Sequence, residues 1–269
     1  MSRLQPTFEA LRQRGRTGLV TYVTAGDPDL ACSPRILEAL DRGGADVLEV
    51  GVPFSDPLAD GPVIQRASER ALAAGATLGT TIATIGGVRS RVRAPIVVFS
   101  YANPILRYGV DRFARDASSA GVDGVLVLDL PLEESEPLRA TLDAVGLDLV
   151  FLVSPTTSDA RIAEAARLGR GFLYAISRLG VTGARQEVAD GARALAERIR
   201  RQTSLPIALG FGLSTPAHVA EVGRWADAAV VGSALVEQIV EAGADAPARV
   251  EAYVRWLKGS RGLPGEDAR

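Results

Sequence analysis

The stretch VLEVGVPFSDPLADGP, residues 47–62, holds three carboxylates in two different settings. Glu49 lies among Val47, Leu48, Val50 and Val52, the residue types of a buried strand. Asp56 and Asp60 follow in a run broken by Pro53, Pro57 and Pro62. A carboxylate in an apolar strand is costly to ionise, and burial raises its pKa toward the range useful for proton transfer near neutrality. The competing account of Glu49 is a structural carboxylate paired with an arginine. Asp60, two residues before a proline, suits a turn or a helix cap as readily as catalysis.

Scarcity narrows the chemistry further. The chain has one Cys (Cys32), one His (His218) and one Lys (Lys258) in 269 residues. One Cys excludes an intramolecular disulfide and a thiolate-rich metal site, and one His argues against a multi-histidine metal centre. Lys258, near a polar tail, is poorly placed for a Schiff base or a phosphate-gripping lysine. Acid–base work then falls to carboxylates and tyrosine, and a bound phosphate to backbone N–H groups. The net charge of −2 without charged blocks points to neither nucleic acid nor a membrane surface. Residues 71–88 carry no charge but are too rich in Gly and Thr for a membrane span. The N-terminus lacks the apolar core of a signal peptide, and a cytoplasmic location is expected.

Elements must position these groups. Eight short apolar runs recur: GLVTYVT (18–24), DVLEVGV (46–52), PIVVFSY (95–101), DGVLVLDL (123–130), LDLVFLV (147–153), GFLYAIS (171–177), LPIALGF (205–211) and DAAVVGS (227–233). Each suits a strand buried on both faces. Segments with helical spacing lie between, such as 137–145 and 190–201, where Ala192, Leu195, Ala196 and Ile199 share one face. Eight strands about 30 residues apart predict an α/β chain folded as a (β/α)8 TIM barrel. A single domain over 1–269 is expected, with an extra N-terminal helix near 2–14, extra helical material after strand eight and a frayed tail over about 260–269. A doubly wound sheet usually carries a glycine-rich fingerprint after strand one, and TAGDPD has none.

In such a barrel the active site lies at the C-terminal ends of the strands. Candidates there are Ala25–Pro28, Glu49, Asp56, Asp60, Tyr101–Asn103, Asp129 and Tyr174. The GFG and VGS ends of strands seven and eight are the usual place for a phosphate cradle, and Gly212, Gly232 and Ser233 suit one. Taken singly, each is also explained as a tight turn. His218 is expected as a solvent-facing helix residue, and Cys32 as buried and inert.

The segments VTAGDPD (23–29), LEVGVPFSDPLADGPVIQRA (48–67), YANPI (101–105), DLPLEES (129–135), SRLGVTGAR (177–185), LGFGLS (209–214) and VGSALV (231–236) together resemble the tryptophan synthase alpha subunit family. The resemblance implies retro-aldol cleavage of indole-3-glycerol phosphate to indole and glyceraldehyde 3-phosphate. It implies Glu49 as acid and base at the indole C3 and the glycerol hydroxyl, and Asp60 as the partner of the indole N–H. Tyr174 would line the site, and Thr182 would hydrogen-bond Asp60 on loop closure. Gly183, Gly212, Gly232 and Ser233 would bind phosphate, with Phe211 beside them. Tyr22 stands where an aromatic, often Phe, is expected against the indole, and Ser100 where an apolar pocket residue is expected. A beta subunit carrying pyridoxal phosphate is the implied partner in an alpha2beta2 heterotetramer, with Pro53, Asp56 and Asn103 near the contact. This chain itself is expected to hold no cofactor and no metal. Alternatives are another phosphate-substrate barrel, a stand-alone indole-3-glycerol phosphate lyase, and a non-catalytic barrel that activates the beta subunit.

Overall fold

The eight runs form parallel strands in a closed barrel in chain order: β1 (Gly18–Thr24), β2 (Val47–Gly51), β3 (Ile96–Ser100), β4 (Gly124–Val127), β5 (Asp148–Val153), β6 (Leu173–Ile176), β7 (Ile207–Gly210) and β8 (Ala228–Val231). This computed structural model describes residues 2–176, 185–210 and 212–259. β1 coincides with its apolar run, and the other seven strands are shorter than theirs because residues at the run ends turn into the loops at the base and at the site.

Residues alternate across each strand between the barrel interior and the helix layer. Tyr22, Glu49 and Val97 are registered neighbours on β1, β2 and β3. Val20, Val47, Val97, Leu126, Val150, Phe172, Ala208 and Ala228 form an interior cluster with Phe99, Leu128 and Tyr174 packed on it. Leu48, Val50, Val98 and Val125 belong instead to the larger cluster shared with the helices.

The extra N-terminal helix is Leu4–Gln13, and it plugs the base of the barrel. Leu4, Phe8 and Leu11, at helical spacing on one face, join the interior cluster, and the Phe8 ring sits 5.4 Å from that of Phe172. Gly124 and Gly171 leave the room: a Cβ at either would come within 2.9 Å of Leu4. The helix expected over 190–201 spans Arg185–Gln202 and buries Ala192, Leu195, Ala196 and Ile199 as read. Helices Ser233–Ala242 and Ala246–Leu257 supply the added material after β8. Among the described residues no single helix is long and apolar enough to cross a membrane; helices Pro62–Ala73 and Leu78–Val88 meet at a 90° bend.

Candidate active site

At the C-terminal ends of the strands a cavity of about 410 Å³ opens, within the usual size of a small-molecule site. Ile64, Phe99, Leu128, Leu152, Ile176 and Val230 give it apolar walls, with Tyr22, Asp60 and Tyr174 among them. Gly212, Ser214, Gly232 and Ser233 line its polar end. Gly232 precedes the helix Ser233–Ala242, and the first-turn N–H groups of a helix have no acceptors within it. Gly212 has φ +77°, a conformation that favours glycine.

Of the acids at this end, most are committed. Asp27, fully buried, makes a two-pronged ion pair with Arg70 at 2.8 and 2.9 Å, tying the loop after β1 to the helix Pro62–Ala73. Asp129 accepts the Ala102 N–H at 2.7 Å at the start of the helix Ala102–Tyr108. Asp56 is exposed and accepts from the Ser55 hydroxyl.

Glu49 is different. It is 1 % exposed, and its two carboxyl oxygens are the buried side-chain oxygens without a hydrogen-bond partner among the described residues. Among the described residues no arginine pairs with it, which speaks against the ion-pair account. Burial alone pushes its carboxyl up to about 8. Glu49 does not itself line the cavity; Tyr22, Phe99 and Tyr174 do. Buried polar atoms are nearly always satisfied, so a bare carboxyl under a cavity wall marks function rather than stability.

Asp60 sits on the wall with one side-chain partner among the described residues, the Tyr101 hydroxyl, which donates to its Oδ2 at 3.0 Å. The same hydroxyl accepts the Ala59 N–H at 3.2 Å, and the Tyr101 ring stacks on Phe54 at 5.0 Å. Burial raises the Asp60 carboxyl, partly offset by that hydrogen bond. The loop is further held by the Gln65 side-chain amide, which donates to the carbonyls of Asp60 at 2.9 Å and Pro57 at 3.3 Å. Burial, then Asp60, keeps the Tyr22 and Tyr101 hydroxyls well above the ordinary tyrosine range; burial, then Glu49, does the same for Tyr174. All three remain neutral O–H groups beside the carboxylates.

Several expectations are corrected by these positions. Ser100 is buried on the outward face of β3, its hydroxyl donating to the Tyr101 carbonyl, and the pocket residue is its neighbour Phe99. Alternation along the strand places Phe99 inward, and that signal was available. Pro53 is buried within the chain, while Asp56 and Asn103 are exposed. His218 is half-buried, with its ring bonded to the Ser214 N–H. Tyr101, a candidate at the end of strand three with no role assigned to its hydroxyl, donates that hydroxyl to Asp60. Thr182, Gly183 and Phe211 lie outside the described residues.

Fold and site together define a (β/α)8 barrel with a small-molecule cavity at the C-terminal ends of its strands, apolar at one end and polar at the other, with two carboxyl groups beside it. The family model for the tryptophan synthase alpha chain matches residues 8–259. The chain is 49 % identical over 259 residues to the tryptophan synthase alpha chain of Citrifermentans bemidjiense, covering 96 % of this chain and 97 % of that one. It is 51 % identical over 261 residues to that of Roseiflexus sp., covering 96 % and 100 %. The crystal structure of tryptophan synthase subunit alpha from Legionella pneumophila superposes with a TM-score of 0.89 at 35 % identity over 96 % of this chain and 97 % of that one. The chain belongs to the tryptophan synthase alpha chain family, and its reaction is the aldolase-type cleavage of indole-3-glycerol phosphate, a lyase reaction. Tryptophan synthase alpha chains work with a beta subunit.

Proposed function

We propose that Glu49 carries both proton transfers of this cleavage and that Asp60 stabilises the charge between them. The observation behind this reading is the buried, unpartnered Glu49 carboxyl, held largely protonated at neutral pH. Brought to the substrate by rotation of its side chain, the acid gives its proton to indole C3. The positive charge that develops on the ring nitrogen is met by Asp60, which accepts the ring N–H. The Glu49 carboxylate then takes the proton of the glycerol hydroxyl next to C3. The carbon–carbon bond breaks, its electron pair restores the indole, and the hydroxyl oxygen becomes the aldehyde of glyceraldehyde 3-phosphate. Glu49 ends protonated as it began, so the step balances without another acid or base.

Tyr22, Phe99 and Tyr174 enclose the indole in this reading. Gly212, Gly232 and Ser233 bind the phosphate, helped by the dipole of the helix Ser233–Ala242. Thr182, Gly183 and Phe211 keep the roles expected of them. The partner is a beta subunit in an alpha2beta2 heterotetramer in the cytoplasm, meeting this chain near Asp56 and Asn103; Leu58, 92 % exposed in the same loop, suits that contact. Pyridoxal phosphate belongs to the beta subunit. In support, Lys258 is ion-paired to Asp46 at the base of the barrel, far from the cavity. The chain is read as one domain because the eight strands close a single barrel.

The test is release of glyceraldehyde 3-phosphate from indole-3-glycerol phosphate, with and without a beta subunit, for wild type and Glu49→Gln. Weak activity alone, strong stimulation by the partner and near-complete loss in the variant are expected. Unchanged activity in Glu49→Gln would overturn the acid–base assignment; full activity without a partner would favour a stand-alone lyase.

A further inference from the structure

The backbone of one residue of the cavity wall is held on both sides by two side chains that do not line the cavity. Ser214, in the loop after β7, donates its N–H to His218 Nδ1 at 3.2 Å, and its carbonyl accepts the Tyr253 hydroxyl at 2.7 Å. These partners lie 4 and 39 residues away, in helices Pro216–Val222 and Ala246–Leu257. Thr215 caps the first of these helices, its Oγ1 accepting the His218 N–H at 3.3 Å. The result is a capping box displaced by one residue: the third helical side chain returns to the N–H before the cap. To accept there, the imidazole must be neutral with its proton on Nε2. Tyr253 is 4 % exposed and stacked at 5.5 Å on Trp256, so its hydroxyl is rigidly presented.

The loop needs such a hold. Gly212 adopts positive φ, and a Cβ there would meet nothing within 4 Å, while Leu213 anchors the turn from the core side only. Gly212 and Ser214 face Gly232 and Ser233 across the polar end of the cavity.

We propose that His218 and Tyr253 are positioning residues for the phosphate end of the substrate. They set the Gly212–Ser214 backbone at the separation from Gly232 and Ser233 that lets one anion bridge both. Neither touches the substrate. This inference rests on the assignment of the polar end to phosphate, and the experiment separates the two.

Steady-state cleavage, and its inhibition by inorganic phosphate, would be measured with saturating beta subunit for wild type, His218→Ala, His218→Asn and Tyr253→Phe. His218→Ala is expected to raise the KM for indole-3-glycerol phosphate and the inhibition constant of phosphate together, about tenfold, with kcat within about twofold. Asn places an acceptor the same number of bonds from the backbone and should return both constants to within about threefold of wild type. Tyr253→Phe, which removes one oxygen and keeps the stacking, should raise both about fivefold and carries the test if His218→Ala folds poorly. Unmoved KM and inhibition constants in the variants, with phosphate still competing in wild type, would overturn the positioning role alone. A fall in kcat without a rise in KM would overturn it too. Failure of phosphate to compete in wild type would overturn the phosphate assignment beneath it.

Discussion

The base of the barrel and the acids beside the cavity use carboxylates in opposite ways, although Asp27 at the cavity end is paired to Arg70 as the base acids are to their cations. At the base, Asp46, Asp123 and Asp227 stand immediately before β2, β4 and β8. Each donates its own N–H to a carbonyl at the start of the preceding strand and accepts an N–H from that same residue: Leu19, Ile96 and Ile207, all at 2.8 Å. Each is then neutralised by a cation. Asp123 takes three bonds from Arg3, Asp227 takes Arg12 and Arg200, and Asp46 takes Lys258. Beside the cavity, among the described residues, Glu49 has no partner and Asp60 has one neutral hydroxyl. The fold can bury an acid cheaply when strand N–H groups and arginines surround it. Leaving Glu49 bare is therefore a cost located at the reacting end, as expected of a group that must change its proton.

Changing one acid at each end tests this division. Glu49→Gln should lower cleavage by roughly 10²–10⁴-fold without unfolding the chain. Its stability should also respond to pH differently from wild type. The folded Glu49 carboxyl lies at about 8 against 4.5 for the ordinary group. The folded chain therefore holds that proton more tightly, and wild-type stability falls as pH rises through this window, then levels off. The slope is on the order of 1 kcal/mol per pH unit. Gln lacks the slope, so denaturant midpoints should coincide near pH 4.5 and favour the variant near pH 8.5. Parallel profiles would place the carboxyl in a wetter setting than its burial implies.

At the base the expected outcome reverses. Asp123→Asn should cost about 3 kcal/mol of stability, since it weakens bonds to Arg3 and the Ile96 N–H at a site 2 % exposed. The kcat of the folded fraction should stay within about twofold. Lost turnover at unchanged stability would break the division. Asp227 responds to pH in the opposite sense to Glu49. Burial alone would raise its carboxyl, but bonds from Arg12, Arg200 and the Ile207 N–H outweigh this and hold it below its ordinary value. Its contribution is present above the ordinary carboxylate range and is lost as pH falls through the folded value, opposite in slope to Glu49.

An intermediate effect belongs to Tyr101. Tyr101→Phe removes the donor to Asp60 and the acceptor of the Ala59 N–H, so the loop loses a tether and the Asp60 carboxyl rises further. A fall of about tenfold in kcat/KM is expected, with a small change in midpoint. An unchanged kcat/KM would mean that Asp60 is placed by Gln65 and the prolines alone.

How much of this was legible in the sequence follows from the range of each interaction. The strands were readable to within three residues because a parallel strand buried on both faces is a continuous apolar run. Glu49 stood out because it interrupts one. The Tyr101–Asp60 bond joins residues 41 apart, and no local pattern announces it. The resemblance implies Thr182 as an Asp60 partner on loop closure, and that residue lies outside the described ones; Tyr101 is the partner among them. Ser100 lies outward because alternation from Val97 puts Phe99 inward. His218 looked solvent-facing because its acceptor role depends on how the loop before its helix turns back. The base aspartates were visible as the first letters of DVLEV, DGVLV and DAAVV, yet their partners come from neighbouring strands, from both ends of the chain and, for Asp227, from the helix Arg185–Gln202.

The smallest expected effect concerns Tyr22. Its ring closes the cavity wall and packs edge-on against Phe99 at 5.5 Å. Its hydroxyl fits only because residue 51 is glycine, a Cβ there falling 2.2 Å from the oxygen. The one contact of that hydroxyl, to Thr24 Oγ1 at 3.4 Å, is long for an O–H···O bond and adds little. Burial, then the charge of Asp60, keeps the group protonated, so it offers no base. Tyr22→Phe retains the ring and should leave kcat/KM within about threefold of wild type. A loss beyond tenfold at unchanged stability would show the hydroxyl serving Glu49 or Asp60 during the reaction. The reacting end would then hold its two acids through neutral donors, as the base holds its own through cations.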